Sequence, residues 1–297
     1  MKIIDAHNHP DWWGHDLKRT LENMDRFGIS RTWLLSWECG AGEFMDFYQQ
    51  VFLCPSGRGP IPFERCIDYC SKEPDRFIPG YAPDPRDPNA CRRLRAAHDI
   101  YGAKICGEVK CRMMYDNPDA LRLFHTAGEL GMPVTLHFDY DSQKTADAPR
   151  AEWWGGTIHT LERVLAACPE TRFLGHAPGF WIHISDDELW KTKPYPGPDD
   201  GIAGEGELIR LLRKYPNLYC DISAGSGCRA LKRDLDFTRK FLTEFQDRVL
   251  YARDYFDNQH QELLNSLGLP EEVLSKIYAG NAERLLEPET GHTPDRT

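Results

Sequence analysis

The chain has 297 residues, a formal net charge of −10 and a hydrophobic fraction of 41%. This length suits one α/β barrel of about 250 residues or two smaller domains, and the hydrophobic fraction is enough for a large core. The acidic balance argues against a general nucleic-acid binder, which needs a basic surface. No run of about 18 apolar residues indicates a membrane span, and the N-terminal residues do not resemble a signal peptide.

Apolar, β-branched runs alternate with helix-like segments along the chain. The predicted strands are residues 2–9, 31–38, 77–84, 103–110, 133–139, 172–178, 218–224 and 249–256. The predicted helices are residues 16–28, 60–73, 89–101, 118–131, 157–168, 202–215, 234–247 and 259–267. This alternation favours a parallel sheet, most simply closed into a (β/α)8 TIM barrel. A doubly wound open sheet is the alternative, although no Gly-x-Gly-x-x-Gly turn follows the first strand.

Three connections, those after predicted strands 2, 5 and 6, are long. They cover residues 39–59, 140–156 and 179–201. In a barrel all three would lie at the C-terminal face, where active sites are built. No linker divides the chain, so we predict a single domain over residues 1–290 and a disordered polar tail over residues 291–297.

Ten cysteines are scattered through the chain, several of them inside apolar runs. Without an export signal we expect reduced thiols and a cytoplasmic protein. Cys66 and Cys70 lie four residues apart on a predicted helix. No second Cys/His pair stands at zinc-finger spacing, so we interpret them as packing residues.

His7 and His9 stand two residues apart at the end of the first predicted strand. Side chains at positions i and i+2 of a strand point to the same face, so one metal ion could reach both imidazoles. Four further strands end in a potential ligand or acid/base group: Glu108 and Lys110, His137, His176 and Asp254. Burying these groups together without a shared partner would be costly, so we predict a divalent metal site. Nitrogen and carboxylate ligands suit Zn²⁺ first, with Mn²⁺, Fe²⁺ or Co²⁺ as alternatives.

The ordered set of Asp5-Ala6-His7-Asn8-His9, His137, His176 and Asp254 resembles the amidohydrolase superfamily, most closely its amidohydrolase 2 branch of metal-dependent hydrolases and decarboxylases. The segment Gly280-Asn281-Ala282 is also similar to that branch, in which a Gly-Asn-Ala segment opens the final helix. The resemblance implies a barrel with its metal at the C-terminal end. It also implies that His7, His9, His137 and Asp254 are metal ligands. His176 would be a further ligand in a binuclear site or a catalytic group in a mononuclear one, and we favour the second role.

Two features depart from the usual family pattern. Strand 4 offers both Glu108 and Lys110, which can face the barrel interior together. We favour Glu108 as a metal ligand over a carboxylated Lys110. An unmodified Lys110 would instead be a cation near a substrate carboxylate. Arg253 stands where relatives more often carry a small residue, and strand alternation predicts that it points outward, into an ion pair or a subunit contact.

The leading functional hypothesis is hydrolysis of a small amide, lactone or related ester by metal-activated water. Asp254 would move the proton and His176 would polarise the substrate. Non-oxidative decarboxylation of an aromatic or unsaturated acid is the second hypothesis, and an inactive barrel with a binding role is the third. We expect a small-molecule substrate, neither nucleic acid nor membrane as a partner, and a homo-oligomer by family resemblance. The substrate-binding candidates are Lys110, Arg112, Trp13 and Trp181.

Overall fold

The computed structural model describes residues 1–40, 43, 61–139, 154–193 and 195–287. Its sheet contains eight short parallel strands: β1 Ile4–Asn8, β2 Arg31–Leu35, β3 Phe77–Gly80, β4 Cys106–Val109, β5 Val134–His137, β6 Phe173–His176, β7 Leu218–Asp221 and β8 Val249–Leu250. They are hydrogen-bonded in chain order, as one run from β1 to β3 and a second from β4 to β8. Each predicted strand contains one of them, so the strand prediction is confirmed.

Backbone hydrogen bonds join the two runs at both seams. Between β3 and β4, the amide of Tyr81 donates to the carbonyl oxygen of Ile105 at 2.9 Å. Between β8 and β1, the amide of Ala6 donates to the carbonyl oxygen of Tyr251 at 3.0 Å. The sheet therefore closes on itself, and the predicted (β/α)8 barrel is confirmed.

Helices follow the strands and cover the outside of the sheet. They are α1 Leu17–Arg26, α2 Phe63–Lys72, α3 Ala90–Tyr101, α4 Pro118–Glu129, α5 Ile158–Ala167, α6 Pro178–Trp181, α7 Glu207–Lys214, α8 Ala224–Leu231, α9 Leu235–Glu244, α10 Gln259–Ser266, α11 Glu271–Ser275 and α12 Asn281–Leu286. A π-helical segment, Lys276–Gly280, joins the last two. Local signals fix their starts: the side chain of Asn117 accepts from the Asp119 amide, with Pro118 in the first turn of α4.

The structure adds elements that the periodicity did not predict. The connection over residues 179–201 contains part of α6 and three 3-10 turns, Ile182–Ile184, Leu189–Lys191 and Pro198–Asp200. Helix α8 was also missed, because most of its sequence, Ala-Gly-Ser-Gly-Cys-Arg-Ala-Leu, consists of small residues and its two glycines disfavour a helix. The other two long connections fall largely on residues 41–42, 44–60 and 140–153, and the proposed tail on residues 291–297, all outside the described residues.

The core lies between the strands and the helices. In α7, Leu208, Leu211 and Leu212 are buried while Arg213 faces outward. Each fully buried leucine contributes about 1.5–3 kcal/mol relative to exposure. A smaller cluster includes Ile4 and other strand residues together with apolar residues of α12, so the last helix packs against it. This packing leaves the C-terminal strand ends for polar groups.

None of the nine cysteines among the described residues forms a disulfide, as expected. Cys66 is buried and Cys70 half-buried, and neither belongs to a cluster of three metal-ligating side chains in the described ranges. In the part of the chain that the structure describes, every helix is too short or too polar to cross a membrane.

Candidate active site

The two histidines at the end of the first predicted strand do come together in the structure. His7 and His9 are almost completely buried, and their Nε2 atoms lie 3.3 Å apart. Nδ1 of His9 donates to the carbonyl oxygen of Leu35 at 2.8 Å. Because a carbonyl oxygen only accepts, this contact places a hydrogen on Nδ1 and leaves the Nε2 lone pair for a ligand in the neutral ring.

His7 is oriented by a residue that the sequence reasoning missed. Nδ1 of His7 lies 2.5 Å from Oδ2 of Asp221, the last residue of β7, and Asp221 is fully buried. Such a carboxylate fixes the tautomer and ring position of a metal-ligating histidine. The sequence signal was present, because Asp221 lies near the end of a predicted strand, as the other strand-end candidates do.

Glu108 of β4 lies between two pairs of histidines. Its Oε2 lies 3.5 Å from Nε2 of His9 and 3.9 Å from Nε2 of His7. Its Oε1 lies 2.6 Å from Nδ1 of His137 and 3.5 Å from Nε2 of His176. One carboxylate therefore presents one oxygen to each pair.

His176 at the end of β6 is positioned from behind. Its Nδ1 lies 2.9 Å from Oγ of Ser223, and 3.7 Å from Oδ2 of Asp221. Its Nε2 faces the cavity, 3.9 Å from Oδ2 of Asp254. Ser223, like Asp221, follows β7 and was not predicted to belong to the site.

Asp254 completes the cluster from beyond β8. Its Oδ1 lies 3.4 Å from Nε2 of His9 and 4.0 Å from Nε2 of His7. Its φ is +50°, and Ala177 after β6 and Ala224 after β7 also have positive φ values, 77° and 57°. Left-handed backbone at non-glycine residues costs energy and commonly accompanies functional sites. Here it occurs within four residues of the ends of three neighbouring strands.

The donor set fits a divalent cation. Three groups of site residues could each hold an ion, because within each group one ligand atom per residue lies within 4.8 Å of the others. The groups are His7–His9–Glu108, His7–His176–Asp254 and Glu108–His137–His176. Among the described residues, Nε2 of His137 and Oδ1 of Asp254 are buried without a hydrogen-bond partner. Unpaired buried polar atoms are costly, and a coordinated cation would satisfy both. The predicted ligands His7, His9, Glu108, His137 and Asp254 thus come together in one place.

The charges of the cluster are tightly coupled. Burial lowers the pKa of His7, but the Asp221 carboxylate outweighs it and raises that pKa to about 10. Burial lowers the pKa of His176 to about 4, so this ring is neutral near pH 7. Burial also disfavours the ionised form of Glu108, yet the adjacent His137 holds its pKa well below the usual range. A binding cation would displace histidine protons and take over this charge balance.

A cavity of about 140 Å³ opens onto the cluster. Besides the ligand candidates, its walls include Trp12, Trp37, Lys110, Asp139 and Tyr195. The ammonium of Lys110 lies 4.5 Å from the ring centre of Trp37 and 5.0 Å from that of Trp154. A buried lysine cation therefore stands at the cavity wall beside aromatic surfaces, as a substrate-binding role requires.

The other predicted substrate-binding residues lie farther from the cavity. Arg112 packs over the ring of Trp154 at 5.3 Å and donates its backbone amide to Glu43. Trp13 is 39% exposed and packs edge-on against Tyr255. Trp181 is buried and donates its indole N–H to the carbonyl oxygen of Asp221 at 2.9 Å. None of the three lines the described cavity. Trp181 is linked to the site through its hydrogen bond to the backbone of Asp221.

Arg253 points away from the metal cluster, as strand alternation predicts. Its Nε donates to Oδ2 of Asp5 at 2.8 Å, and its Nη1 donates to Oδ1 of Asn23 on α1. Arg253 and Asp5 are both almost fully buried. The unusual arginine is therefore part of a packed ion pair that ties β8 to β1 and leaves Asp254 undisturbed.

One protein family matches nearly the whole chain. A protein-family model described as Amidohydrolase matches residues 4–287. No curated protein matches significantly.

Solved structures share the fold at low sequence identity. An uncharacterized TIM-barrel protein from Bordetella bronchiseptica is 18% identical, with a TM-score of 0.64, and the match covers 96% of this chain and 98% of that one. A dihydroxybenzoic acid decarboxylase from Polaromonas, with bound manganese and the inhibitor 2-nitroresorcinol, is 17% identical, with a TM-score of 0.61 and 96% of each chain covered. A probable 2-pyrone-4,6-dicarboxylic acid hydrolase from Acinetobacter baumannii is 12% identical, with a TM-score of 0.54 and coverages of 96% and 99%.

Proposed function

Because the chain belongs to the amidohydrolase family, a group of metal-dependent enzymes, we propose that it hydrolyses a small amide, lactone or ester at a site for two divalent cations. Zn²⁺ is the first choice, since imidazole and carboxylate donors suit it, and Mn²⁺ is the alternative. The observation that carries this proposal is the position of Glu108, whose two oxygens face separate histidine pairs.

That position gives each cation its own ligands. His7, His9, Asp254 and Oε2 of Glu108 would hold one cation, and Oε1 of Glu108, His137 and His176 would hold the other. When bound, such ions supply Lewis-acid polarisation of a substrate oxygen and acidify water for attack. The proposal gives His176 a ligand role in place of the purely catalytic role expected from the sequence.

The protein's own groups account for the proton transfers. Burial disfavours an ionised Asp254, but the imidazoles of His9 and His7 outweigh this and lower its pKa. Asp254 is therefore a carboxylate at neutral pH. In that state Asp254 can accept the proton of the attacking water and return it to the leaving group.

The cavity suggests the substrate class. Lys110 offers a buried positive charge, and Trp12 and Trp37 offer flat apolar walls within about 140 Å³. Charge-assisted hydrogen bonds from an ammonium favour a carboxylate. We therefore expect a small, planar carboxylic acid that carries the ester, lactone or amide to be cleaved.

The test combines metal content with activity. The wild-type chain, loaded with Zn²⁺ or Mn²⁺, should hold two ions in the site and hydrolyse members of a panel of carboxylated lactones and amides. Glu108→Gln should retain at most one of these ions and lose activity. Glu38→Gln is the matched control, because Glu38 is equally buried but pairs with Arg93. A single site ion in the wild type, or full activity without metal, would refute the proposal.

Decarboxylation is the second candidate, and the same cavity supports it. A buried cation beside tryptophan rings also suits an aromatic acid, and the Polaromonas structure of similar fold is a dihydroxybenzoic acid decarboxylase. Release of CO₂ from hydroxybenzoates, together with one site ion and no lactone turnover, would favour this reaction over hydrolysis.

A further inference from the structure

A second cluster of metal-ligating side chains lies outside the active-site cavity. His125 on α4 places Nδ1 2.5 Å from Oε1 of Glu170, in the turn between α5 and β6. Its Nε2 lies 3.6 Å from Sγ of Cys168, the residue that follows α5. One ligand atom from each of the three lies within 4.8 Å of the others.

The turn that carries Cys168 and Glu170 is fixed against α4. Oγ1 of Thr171 donates to the carbonyl oxygen of Phe124 at 3.0 Å. The side-chain amide of Asn217 donates to the carbonyl oxygens of Cys168 and Thr171, both at 3.1 Å. Gly128 permits this approach, since a Cβ there would lie 2.4 Å from Oγ1 of Thr171. The three donors are therefore held together by backbone anchoring.

We propose that Cys168, His125 and Glu170 form a second metal site, the thiol site, which binds Zn²⁺ or a similar borderline-soft cation. A thiolate, an imidazole and a carboxylate are the donors that structural and catalytic zinc sites use. His125 and Glu170 are about half exposed, with 47% and 44% of their side chains accessible, so an ion can enter from solvent. The thiol lies beneath them and is buried.

The same three residues could suggest a cysteine nucleophile with a histidine base, but the environment of the thiol favours a metal. The thiol of Cys168 is buried beneath His125 and Glu170, where a substrate carbon cannot reach it but a small cation can. A cysteine nucleophile must lose its proton in the absence of a metal, whereas a cation that binds the sulfur displaces the thiol proton. The ion would tie α4 to the turn before β6 and stabilise that side of the barrel.

Cobalt distinguishes this site from the active site. The full-length chain, freed of metal and titrated with Co²⁺, should develop the sulfur-to-cobalt charge-transfer absorption of a thiolate ligand. None of the active-site ligand candidates is a cysteine, so the absorption reports the thiol site. Cys168→Ser should abolish the band and lower the metal content by one ion. Glu170→Gln should weaken cobalt binding, because it removes the carboxylate charge from the ligand set.

Two controls make the result decisive. Cys70→Ser, a half-buried cysteine on α2, should keep the band, and Zn²⁺ should remove it by competition. Absence of the band in the wild type, or its persistence in Cys168→Ser, would overturn the thiol site. Because Glu108→Gln leaves these three residues intact, its band should be unchanged. Failure of the proposed hydrolysis is therefore separable from failure of this inference.

Discussion

Replacement of Asp221 by asparagine tests whether this last residue of β7 strengthens metal binding by His7. Asp221 contacts Nδ1 of His7 at 2.5 Å and lies 3.7 Å from Nδ1 of His176, and it is fully buried. Asparagine keeps the shape but removes the charge that holds His7 in position. Loss of such an outer partner lowers metal affinity about 10- to 100-fold. This corresponds to about 1.4–2.7 kcal/mol, and we expect the upper half because Asp221 faces two histidines.

The assay is a competition between the protein and a chelator of known affinity. Zn²⁺ and Mn²⁺ are titrated into wild type, Asp221→Asn and a control. Asp11→Asn is the control, because Asp11 is also buried but binds Arg65 and Tyr69. Affinity within twofold of wild type for Asp221→Asn, with His7 still required, would refute the positioning role of this carboxylate.

Three further outcomes follow from particular contacts. Arg253→Met should lower the free energy of unfolding by about 3–5 kcal/mol in urea titrations, since it leaves Asp5 buried without its partner. Lys110→Met should raise KM for carboxylated substrates at least about tenfold, with a smaller effect on uncharged analogues. The pKa of Glu162 is lowered to about 2, first by its hydrogen bond to Arg210. Its stabilisation is therefore present above about pH 4.5 and is lost as the pH falls toward 2. Glu162→Gln should flatten the loss of stability over that window, by at most about 1 kcal/mol because the pair is partly exposed.

Each of these outcomes has a specific contradiction. The double variant Asp5→Asn/Arg253→Met should recover part of the stability, and no recovery would argue against an unpaired charge as the cause. An equal effect of Lys110→Met on charged and uncharged substrates would indicate lost packing. An unchanged acid-stability profile in Glu162→Gln would show that other carboxylates dominate over that range.

The barrel was predictable because its strands and most of its helices have clear local sequence patterns. Apolar runs located all eight strands, and Pro118 located the start of α4. The outward direction of Arg253 was also predicted from strand alternation, although the residue lies three positions beyond the end of β8. Helix α8 was missed, since its two glycines are poor helix formers.

The sequence by itself determined which strand ends carry candidate metal ligands, because a parallel barrel brings all those ends to one face. That rule placed His7, His9, Glu108 and Asp254 in one cluster before any coordinates. Only the tertiary structure decided that Asp221 positions His7 and that Trp181 donates to the backbone of Asp221. It also decided that Glu108 lies between two histidine pairs. These arrangements depend on side-chain distances between residues far apart in the chain, which strand periodicity does not encode.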